Sequence, residues 1–433
     1  MGLVAKVPGA GAALFLLLTI NLFNYIDRYV LAAVEPDIRE TLLLASNPDD
    51  PNVKAKMGLL STAFMVSYML TAPVFGFLAE RMSRWLLIAI GVALWSLASG
   101  ASGLAGAFGV LLVTRCLVGV GEGAYGPVAP TLLSDFYPVA QRGRVLSLFY
   151  VAIPVGSALG FVLGGMVAQL NPEAESWRWA FYLVVAPGLL LGVWAALMRE
   201  PQRGAADRVA SARRATMKDY VFLLHTRSYV LNTAGMTAMT FAMGALAYWM
   251  PAYLKEHEVP PLFGVAPIPL FGGITALAGL LATVAGGVAG DALRGRVPGS
   301  YFVVSGVGLC LGVQCALLFL VTPFPLAWVF IFLAEFFVFF NTGPSNAILA
   351  NVTHPAIRAT GFALNILIIH ILGDAASPFL IGAIADRWSL RVGFMVVSAF
   401  MLLGGIFWLF GAPHLERDTE AAPHRLSETG TIA

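Results

Sequence analysis

The sequence has few charged residues and almost no cysteine. Of its 433 residues, 12% are charged and 58% are hydrophobic, whereas a soluble domain carries about 25% charged residues. The net charge is only +2, so we expect no basic surface for nucleic acid. The three cysteines show neither a disulfide framework nor metal-ligand spacing. The composition excludes an ordinary soluble domain and predicts a polytopic membrane protein without a metal or another cofactor.

Signatures of catalysis and of nucleotide-driven transport are also missing. The sequence has no Gly-rich loop ending in Lys-Ser/Thr. Its six histidines are scattered, and no nucleophile and base stand out as a pair. The first apolar run continues into Asp27 and Arg28 without a cleavage site of small residues, so we expect a retained helix rather than a signal peptide. An enzyme is therefore the least expected class of protein.

Long apolar runs dominate the chain. About twelve of them have roughly 20 residues, enough to cross a hydrocarbon core of ~30 Å. About 17 Lys and Arg residues fall on one side of the predicted topology and about 7 on the other, which predicts both termini in the cytoplasm. The predicted spans are residues 12–34, 57–79, 85–103, 107–133, 145–168, 179–198, 229–253, 268–290, 300–321, 325–350, 360–384 and 392–412.

The spans divide into two halves that resemble each other. In both halves an acid follows a glycine by four residues at the inner end of a span, at Gly76 and Glu80 and again at Gly287 and Asp291. Weak repeats of this kind are typical of transporters that bind their substrate between the halves. The predicted organisation is an N-terminal bundle at 1–199, a cytoplasmic linker at 200–228, a C-terminal bundle at 229–412 and a disordered cytoplasmic tail at 413–433.

A polar stripe crosses the first apolar run. Asn21, Asn24 and Arg28 follow each other at i, i+3 and i+7, and Asp27 is adjacent to Arg28. Each charge within a span costs roughly 2.5–3.5 kcal/mol on insertion scales, so the stripe must face protein or water rather than lipid. Two interpretations remain open. The stripe is either a proton or substrate site, or a buried ion pair that only fixes helix packing.

The fourth span carries a second charged stripe. Arg115, Gly119, Glu122 and Gly126 lie on one helical face. Arg115 and Glu122 are separated by about 10 Å along the helix axis, so each is expected to reach a neighbouring helix instead of the other. The glycines allow such a neighbour to approach closely.

Several motifs resemble known families. The stretch from Gly76 to Arg84 resembles the loop motif of the major facilitator superfamily, with Glu80 where an Asp is usual. Arg115 and Glu122 belong to a stretch that resembles the fourth-helix motif of the same superfamily. Other stretches resemble the spinster family of lipid transporters: Asn24–Arg28, Val118–Tyr125 with Ala129, Pro130 and Asp135, Ser147–Tyr150, Ile153–Ser157, and Gly373–Pro378 with Gly382 and Asp386.

This resemblance implies an all-α membrane protein with twelve transmembrane helices in two pseudo-symmetric six-helix bundles. It implies proton-coupled transport of a lysolipid or sphingoid-type lipid by alternating access. It also implies that the first, fourth, seventh and tenth helices line a central cavity, which would bring Asp27 and Arg28 near Arg115 and Glu122. The expected partners are an amphipathic lipid, protons and membrane lipids. We expect a monomer in a plasma or bacterial inner membrane.

The expected roles follow from charge chemistry. Asp27 and Glu122 are the candidates for proton coupling, because burial and neighbouring cations both affect protonation and both change when helices rock. The alternative is a static network that holds the N-terminal half together. Arg28 and Arg115 suit an anionic headgroup, since a guanidinium binds phosphate bidentately. They equally suit a role in which they only neutralise the two acids.

Other residues complete the predicted sites. Glu335 in the tenth span is expected to bind an amine or a second proton, or simply to bond to a hydroxyl or amide. With no second histidine or cysteine at ligand spacing, His370 is not expected to bind a metal. The further substrate-binding candidates are Asn24, Tyr25 and Trp249. The gate candidates are Glu80, Arg81, Arg84, Asp291, Arg294, His370 and Asp374.

The C-terminal half is rich in aromatic residues in its seventh and tenth spans, whereas membrane charges concentrate in the N-terminal half. That contrast suits an amphipathic substrate with a charged head and an acyl tail. Two rival hypotheses remain. One keeps the fold but moves drugs by proton antiport, or small organic anions. The other is a lipid scramblase or receptor that works without proton coupling.

Overall fold

The structure, a computed structural model, describes residues 8–79, 81–137, 139–170, 175–202, 217–353 and 357–422. These residues are almost entirely helical, because a helix satisfies its own backbone hydrogen bonds where lipid offers none. Contacts divide the chain into two compact units. Unit 1 comprises Met1–Ala210 and Ala247–Ala276, and unit 2 comprises Ser211–Leu246 and Leu277–Ala433.

Unit 1 contains eight helices before the linker. Within it α1 packs mainly on α7, α2 on α4, and α3 on both α4 and α8. Their bounds are α1 Ala10–Ile38, α2 Val53–Ala79, α3 Arg84–Gly103, α4 Phe108–Gly123, α5 Ala129–Phe136, α6 Val139–Tyr150, α7 Ala152–Leu170 and α8 Trp177–Leu197.

Of the remaining helices, α10 begins in unit 2 and ends in unit 1, whereas α11 begins in unit 1 and ends in unit 2, because Ala247–Ala276 groups with unit 1. The bounds are α9 Met217–His225, α10 Arg227–Glu256, α11 Pro267–Leu293, α12 Ser300–Val321, α13 Ala327–Phe339, α14 Thr342–Val352, α15 Arg358–Ile369, α16 Ser377–Arg387, α17 Leu390–Gly411 and α18 Leu415–Ala421. Within unit 2, α12 packs on α13 and α17.

The predicted count of twelve spans is confirmed. In the described residues, 11 helical runs are long and apolar enough to cross a membrane. The remaining predicted span, 107–133, is interrupted, because α4 ends at Gly123 and α5 begins at Ala129. Neither piece reaches the length of a full span alone.

Two spans differ from the predicted regular helices. The first was predicted to end at residue 34, but α1 continues to Ile38 and then as a π-helical turn over Arg39–Leu44. The eleventh contains a π-helical turn, His370–Asp374, between α15 and α16. In a regular α-helix His370, Asp374 and Ser377 would share one face at i, i+4 and i+7, but their exposure differs across this turn. Ser377 is fully buried, while the side chains of His370 and Asp374 are 29% and 21% exposed.

The predicted tail begins with structure instead of disorder. The helix α18 follows α17 directly, and Asp418 is 2% exposed. Its carboxylate accepts a hydrogen bond from the backbone N–H of Ser228, 3.0 Å away. This buried contact with the start of α10 explains why a polar segment is ordered. The rest of the tail, 423–433, and the linker residues 203–216 lie outside the described residues.

Candidate functional site

The candidate site lies in unit 1, where two glycine contacts bring charged helices together. On α7, a Cβ at Gly160 would lie 2.8 Å from the carbonyl oxygen of Ile26 on α1. On α4, a Cβ at Gly119 would lie 2.2 Å from the carbonyl oxygen of Phe64 on α2. Only glycine permits such approach. These contacts hold α1 against α7 and α2 against α4, and so position the two charged stripes.

Arg28 and Glu122 form the centre of the site. The Arg28 Nε and Nη2 atoms both lie 2.7 Å from Oε2 of Glu122. Glu122 is fully buried, whereas the Arg28 side chain is 19% exposed. The Arg28 guanidinium also lies 5.0, 5.1 and 5.3 Å from the ring centroids of Tyr25, Phe64 and Tyr68. A carboxylate and three rings therefore hold this cation together, and its side chain remains partly exposed.

Asp27 and Arg115 form a second, more deeply buried group. Arg115 Nη1 lies 3.7 Å from Oδ2 of Asp27, and both side chains are 2% exposed. The hydroxyl of Ser99 donates a hydrogen bond to Oδ1 of Asp27. Arg115 Nη2 donates to Ser102 Oγ at 2.6 Å, and its guanidinium lies 5.1 Å from the Phe181 ring. Serine hydroxyls and the Phe181 ring therefore stabilise the two charges of the Asp27–Arg115 pair, whose closest charged atoms are 3.7 Å apart.

The structure brings together the four charges that the resemblance placed near one another. They pair across helices, Arg28 with Glu122 and Asp27 with Arg115, not between adjacent residues of α1. Asn24, which is 3% exposed, interacts with the Glu122 carboxylate.

Two other candidate binding residues lie outside this group of charges. Glu335 on α13 is 6% exposed, and within the described part of the chain neither a cation nor a hydrogen-bond donor contacts it. Trp249 on α10 is fully buried and packs edge to face on Tyr248, with centroids 5.1 Å apart.

A separate ion-pair group lies where α3 begins. Arg84 Nη1 is 2.6 Å from Oδ2 of Asp135, and Arg84 Nε donates to Oε1 of Glu200 at 2.8 Å. Burial alone would raise the pKa of Glu200, but hydrogen bonds from Arg84 and Ser83 and the charge of Arg84 lower this pKa below its usual value. Arg84 thus ties the start of α3 to the end of α5 and to the chain after α8.

The other predicted gate residues are dispersed. Arg81 is exposed and lies over the Phe77 ring at 3.5 Å. Asp291 accepts a hydrogen bond of 2.7 Å from the Tyr301 hydroxyl, and Arg294 is exposed. Glu80 lies outside the described residues.

His370 and Asp374 pair within the π-helical turn of the eleventh span. His370 Nδ1 lies 2.9 Å from Oδ1 of Asp374. A Cβ at Gly244 of α10 would lie 2.8 Å from Cα of Asp374, so the turn packs tightly against α10. The described residues contain no cluster of three or more His, Cys, Asp or Glu side chains suited to a metal.

Sequence reasoning missed one group of charges in unit 1, which we call the α1–α10 cluster: Glu35, Asp37, Arg39, Glu40, Lys54, Lys255 and Glu256. Arg39 Nη1 and Lys54 Nζ lie 2.9 and 3.0 Å from Oε1 of Glu256. Lys255 Nζ lies 2.6 Å from Oδ1 of Asp37. The unusual feature is Glu35, which is fully buried and 3.2 Å from Arg39 Nε. The cluster joins the end of α1 to the end of α10.

The hydroxyls around Asp27 and Arg115 were also missed. Ser99 and Ser102 are three residues apart on α3, and both are fully buried. Buried hydroxyls on one face of an apolar helix need hydrogen-bond partners. That spacing was a sequence signal for a polar neighbour.

Comparisons with known proteins agree with this fold. Residues 17–373 match the profile of the Major Facilitator Superfamily. The chain is 37% identical to Protein spinster homolog 1 of Homo sapiens, over 96% of this chain and 83% of the relative. It is 35% identical to Protein spinster homolog 3 of Danio rerio, over 95% of this chain and 86% of the relative.

Solved structures with the same fold include a bacterial homolog of the human lysosomal transporter spinster, in an inward-facing and unoccupied conformation. Its TM-score is 0.83 at 20% identity, covering 96% of this chain and 99% of that one. A D-xylose-proton symporter matches with a TM-score of 0.75 at 14% identity, over 93% of this chain and 98% of that one.

Proposed function

The chain belongs to the Major Facilitator Superfamily and, within it, to the spinster family, and we propose that it carries an amphipathic lipid by proton-coupled alternating access. Secondary transport is the shared property of this superfamily. The lipid is a lysolipid or sphingoid type, and the coupled ion is the proton. One observation carries the proposal: Arg28 is shared between a buried carboxylate and three aromatic rings.

The Arg28–Glu122 pair links proton and headgroup binding. While Glu122 is ionised, its Oε2 occupies two N–H donors of Arg28. Protonation of Glu122 removes the charge attraction and frees these donors for the phosphate of a headgroup. The rings of Tyr25 and Tyr68 keep the guanidinium in place meanwhile. Protonation of Glu122 frees Arg28 for the phosphate, and a phosphate bound to Arg28 in turn favours protonation of Glu122. The proton and the anionic headgroup therefore bind cooperatively.

Asp27 and Arg115, also in unit 1, have different roles from the Arg28–Glu122 pair. Arg115 is 2% exposed and donates to Ser102, so it neutralises Asp27 rather than binding a headgroup. The separation of 3.7 Å between Arg115 Nη1 and Asp27 Oδ2 leaves that acid weakly held, and Asp27 is the second proton site. Glu335, a buried acid in unit 2, binds a cationic group of the substrate.

Other roles complete the proposal. Asn24 shapes the substrate site beside the Arg28–Glu122 pair, and Trp249 is a further substrate-binding residue. Arg84, with Asp135 and Glu200, braces the cytoplasmic ends of the helices, together with Glu80 and Arg81. Asp291, Arg294 and the His370–Asp374 pair do so in the other half. Both termini lie in the cytoplasm, and the membrane is a plasma or bacterial inner membrane.

The test is proton flux into proteoliposomes after addition of a lysophospholipid. We expect flux for the wild-type protein, and its loss in folded Asp27→Asn and Glu122→Gln proteins. Asp49→Asn makes the same chemical change at an exposed loop position and should retain flux. Lipid movement without any proton flux in the wild type would contradict coupling and favour a uniporter or scramblase. Flux with a small organic anion but not with the lysophospholipid would contradict the lipid substrate.

A further inference from the structure

An apolar groove lies in unit 2, apart from the charged site of unit 1. It is formed by α10, α15, the π-helical turn of the eleventh span and α17, and its volume is about 320 Å³. The outer edges of its wall are exposed: Leu372 is 60% and Leu403 47% exposed. In a helix bundle that crosses a membrane, such exposed apolar residues face hydrocarbon.

The wall is apolar although three of its residues carry hydroxyls. The Tyr229 hydroxyl donates to the carbonyl oxygen of Gly361 at 2.7 Å. Thr233 Oγ1 donates to Oδ1 of Asn365 at 2.8 Å, and Thr237 Oγ1 donates to the Thr233 carbonyl at 2.8 Å. Each of these three hydroxyls therefore donates its hydrogen bond to the protein and not to a ligand in the groove. A polar ligand would find nothing to bind there, whereas a hydrocarbon chain leaves no polar group unsatisfied.

The length of the groove matches one leaflet. Its α10 wall runs from Val230 to Ala238, about 12 Å along a helix axis. Half of a hydrocarbon core of ~30 Å is ~15 Å. Phe400 lines the groove, and its ring stacks on Phe241 with centroids 4.0 Å apart. The groove therefore runs along most of the depth of one leaflet, which suits an acyl chain.

The other end lies beside positive charge. Arg227, the first residue of α10, is exposed and lies between the groove residues Leu224 and Tyr229. In the proposed orientation this end of α10 is cytoplasmic. Basic side chains at that level of a membrane protein attract anionic lipid headgroups. Along α10, Arg227 comes first and the apolar groove follows. This order matches the headgroup and the acyl chain of a lipid in the inner leaflet.

From this geometry we infer a binding site for a resident anionic phospholipid of the inner leaflet, with one acyl chain in the groove and its phosphate beside Arg227. The assignment to the inner leaflet rests on the proposed orientation, whereas binding in the groove does not depend on which substrate is transported. Ile368 and Leu372 of its wall flank His370 in the π-helical turn, so the chain packs against the one irregular segment of the eleventh span. Such turns occur frequently at functional sites.

The experiment uses the full-length protein in lipid nanodiscs of phosphatidylcholine that contain a phosphatidylglycerol with a diazirine on one acyl chain. After illumination, peptide mass spectrometry maps the labelled residues. We expect the peptides of Leu372, Leu403 and Phe407 to be labelled several-fold more than the peptide of Val284, which is 68% exposed on α11. Equal labelling of the groove and Val284 would overturn the proposal.

Two variants sharpen this result. Ala234→Trp fills the groove and should abolish labelling there, while Val284→Trp adds the same side chain elsewhere and should leave it intact. Arg227→Gln lies at the exposed start of α10 and tests the site if Ala234→Trp does not fold. It should lower groove labelling by phosphatidylglycerol several-fold, and unchanged labelling would overturn the assignment of the headgroup.

Discussion

Unit 1 buries full charges, whereas unit 2 buries mainly amides and hydroxyls. In unit 1 the buried ionisable side chains include Asp27, Arg115 and Glu122. In unit 2, Trp408 Nε1 donates to Oδ1 of Asn232 at 3.0 Å, and Asn232 Nδ2 donates to the carbonyl oxygen of Ser345 at 3.0 Å. Buried carboxylates gain or lose a proton as pH changes, whereas neutral amides do not. The buried charged group of unit 1 is therefore titratable, whereas the Asn232 network of unit 2 is not.

The largest effect on stability is expected in unit 1, at Arg115. The substitution Arg115→Met leaves Asp27 buried without its cation, and removal of one partner of a buried pair typically costs about 3–5 kcal/mol. We expect a large fall in thermal stability, measured by size-exclusion chromatography of the heated, detergent-solubilised protein. The double substitution Asp27→Asn with Arg115→Met should recover much of this loss. A double variant as unstable as the single one would show that charge burial is not the cause.

An intermediate effect is expected in unit 2 from Asn232→Ala. It leaves the Trp408 indole N–H and the Ser345 carbonyl without this partner, and a buried unsatisfied group costs about 1–3 kcal/mol. The loss, read from thermal melts, should be the same at pH 6 and pH 8, since no titratable group is involved. Asn346→Ala is the matched control, because Asn346 only donates to the Thr342 carbonyl of its own helix. A loss as large in the control would contradict the network role.

A smaller effect of opposite sign is expected at Glu335. This acid is buried without a described partner, so Glu335→Gln removes an unpaired acid and should raise stability by up to ~1 kcal/mol. The same change at Glu122 breaks its pair with Arg28 and should lower stability. Melting temperatures of the two variants measured side by side decide this. A destabilised Glu335→Gln protein would mean that this acid has a partner that it needs.

The smallest effect concerns Glu200 and depends on pH. Because the folded-state pKa of Glu200 lies below its usual value, its ionised form stabilises the fold above the unfolded pKa of about 4.3. That contribution is lost as pH falls through the lower folded-state value. Partly exposed pairs contribute only about 0.2–1 kcal/mol. We therefore expect Glu200→Gln to melt slightly earlier than the wild type at pH 7, with a difference that shrinks as the pH falls below about 4.3. A difference that grows on acidification would contradict the Arg84–Glu200 pairing.

The helical plan could be predicted from the sequence, because length and hydropathy alone identify a membrane span. The meeting of Asp27 and Arg28 with Arg115 and Glu122 could also be predicted, from helical faces and family resemblance. The pairing of each acid with its base could not be predicted. That choice depends on differences of an ångström or so, which close contacts such as the one at Gly119 determine.

The irregular segments escaped prediction for a different reason. A π-helical turn adds a residue without changing composition, so nothing in the apolar run around His370 indicated it. The first span was predicted to end at residue 34 because Glu35 and Pro36 resemble the start of a loop. Glu35 is instead fully buried beside Arg39, and the α1–α10 cluster was missed with it. A charged residue at a span end carries no sequence signal of its partner.

The α1–α10 cluster differs from the Arg28–Glu122 pair in its access to dissolved ions. The side chains of Lys255 and Glu40 are 44% and 70% exposed, whereas Glu122 is fully buried. Raising ionic strength from 0.1 M to 1 M shortens the Debye length from about 10 Å to about 3 Å. Salt on that face of the membrane therefore weakens the contact between α1 and the end of α10 while the buried pair keeps its strength. The salinity of the surrounding medium thus acts on one end of these two helices and not on the buried Arg28–Glu122 pair.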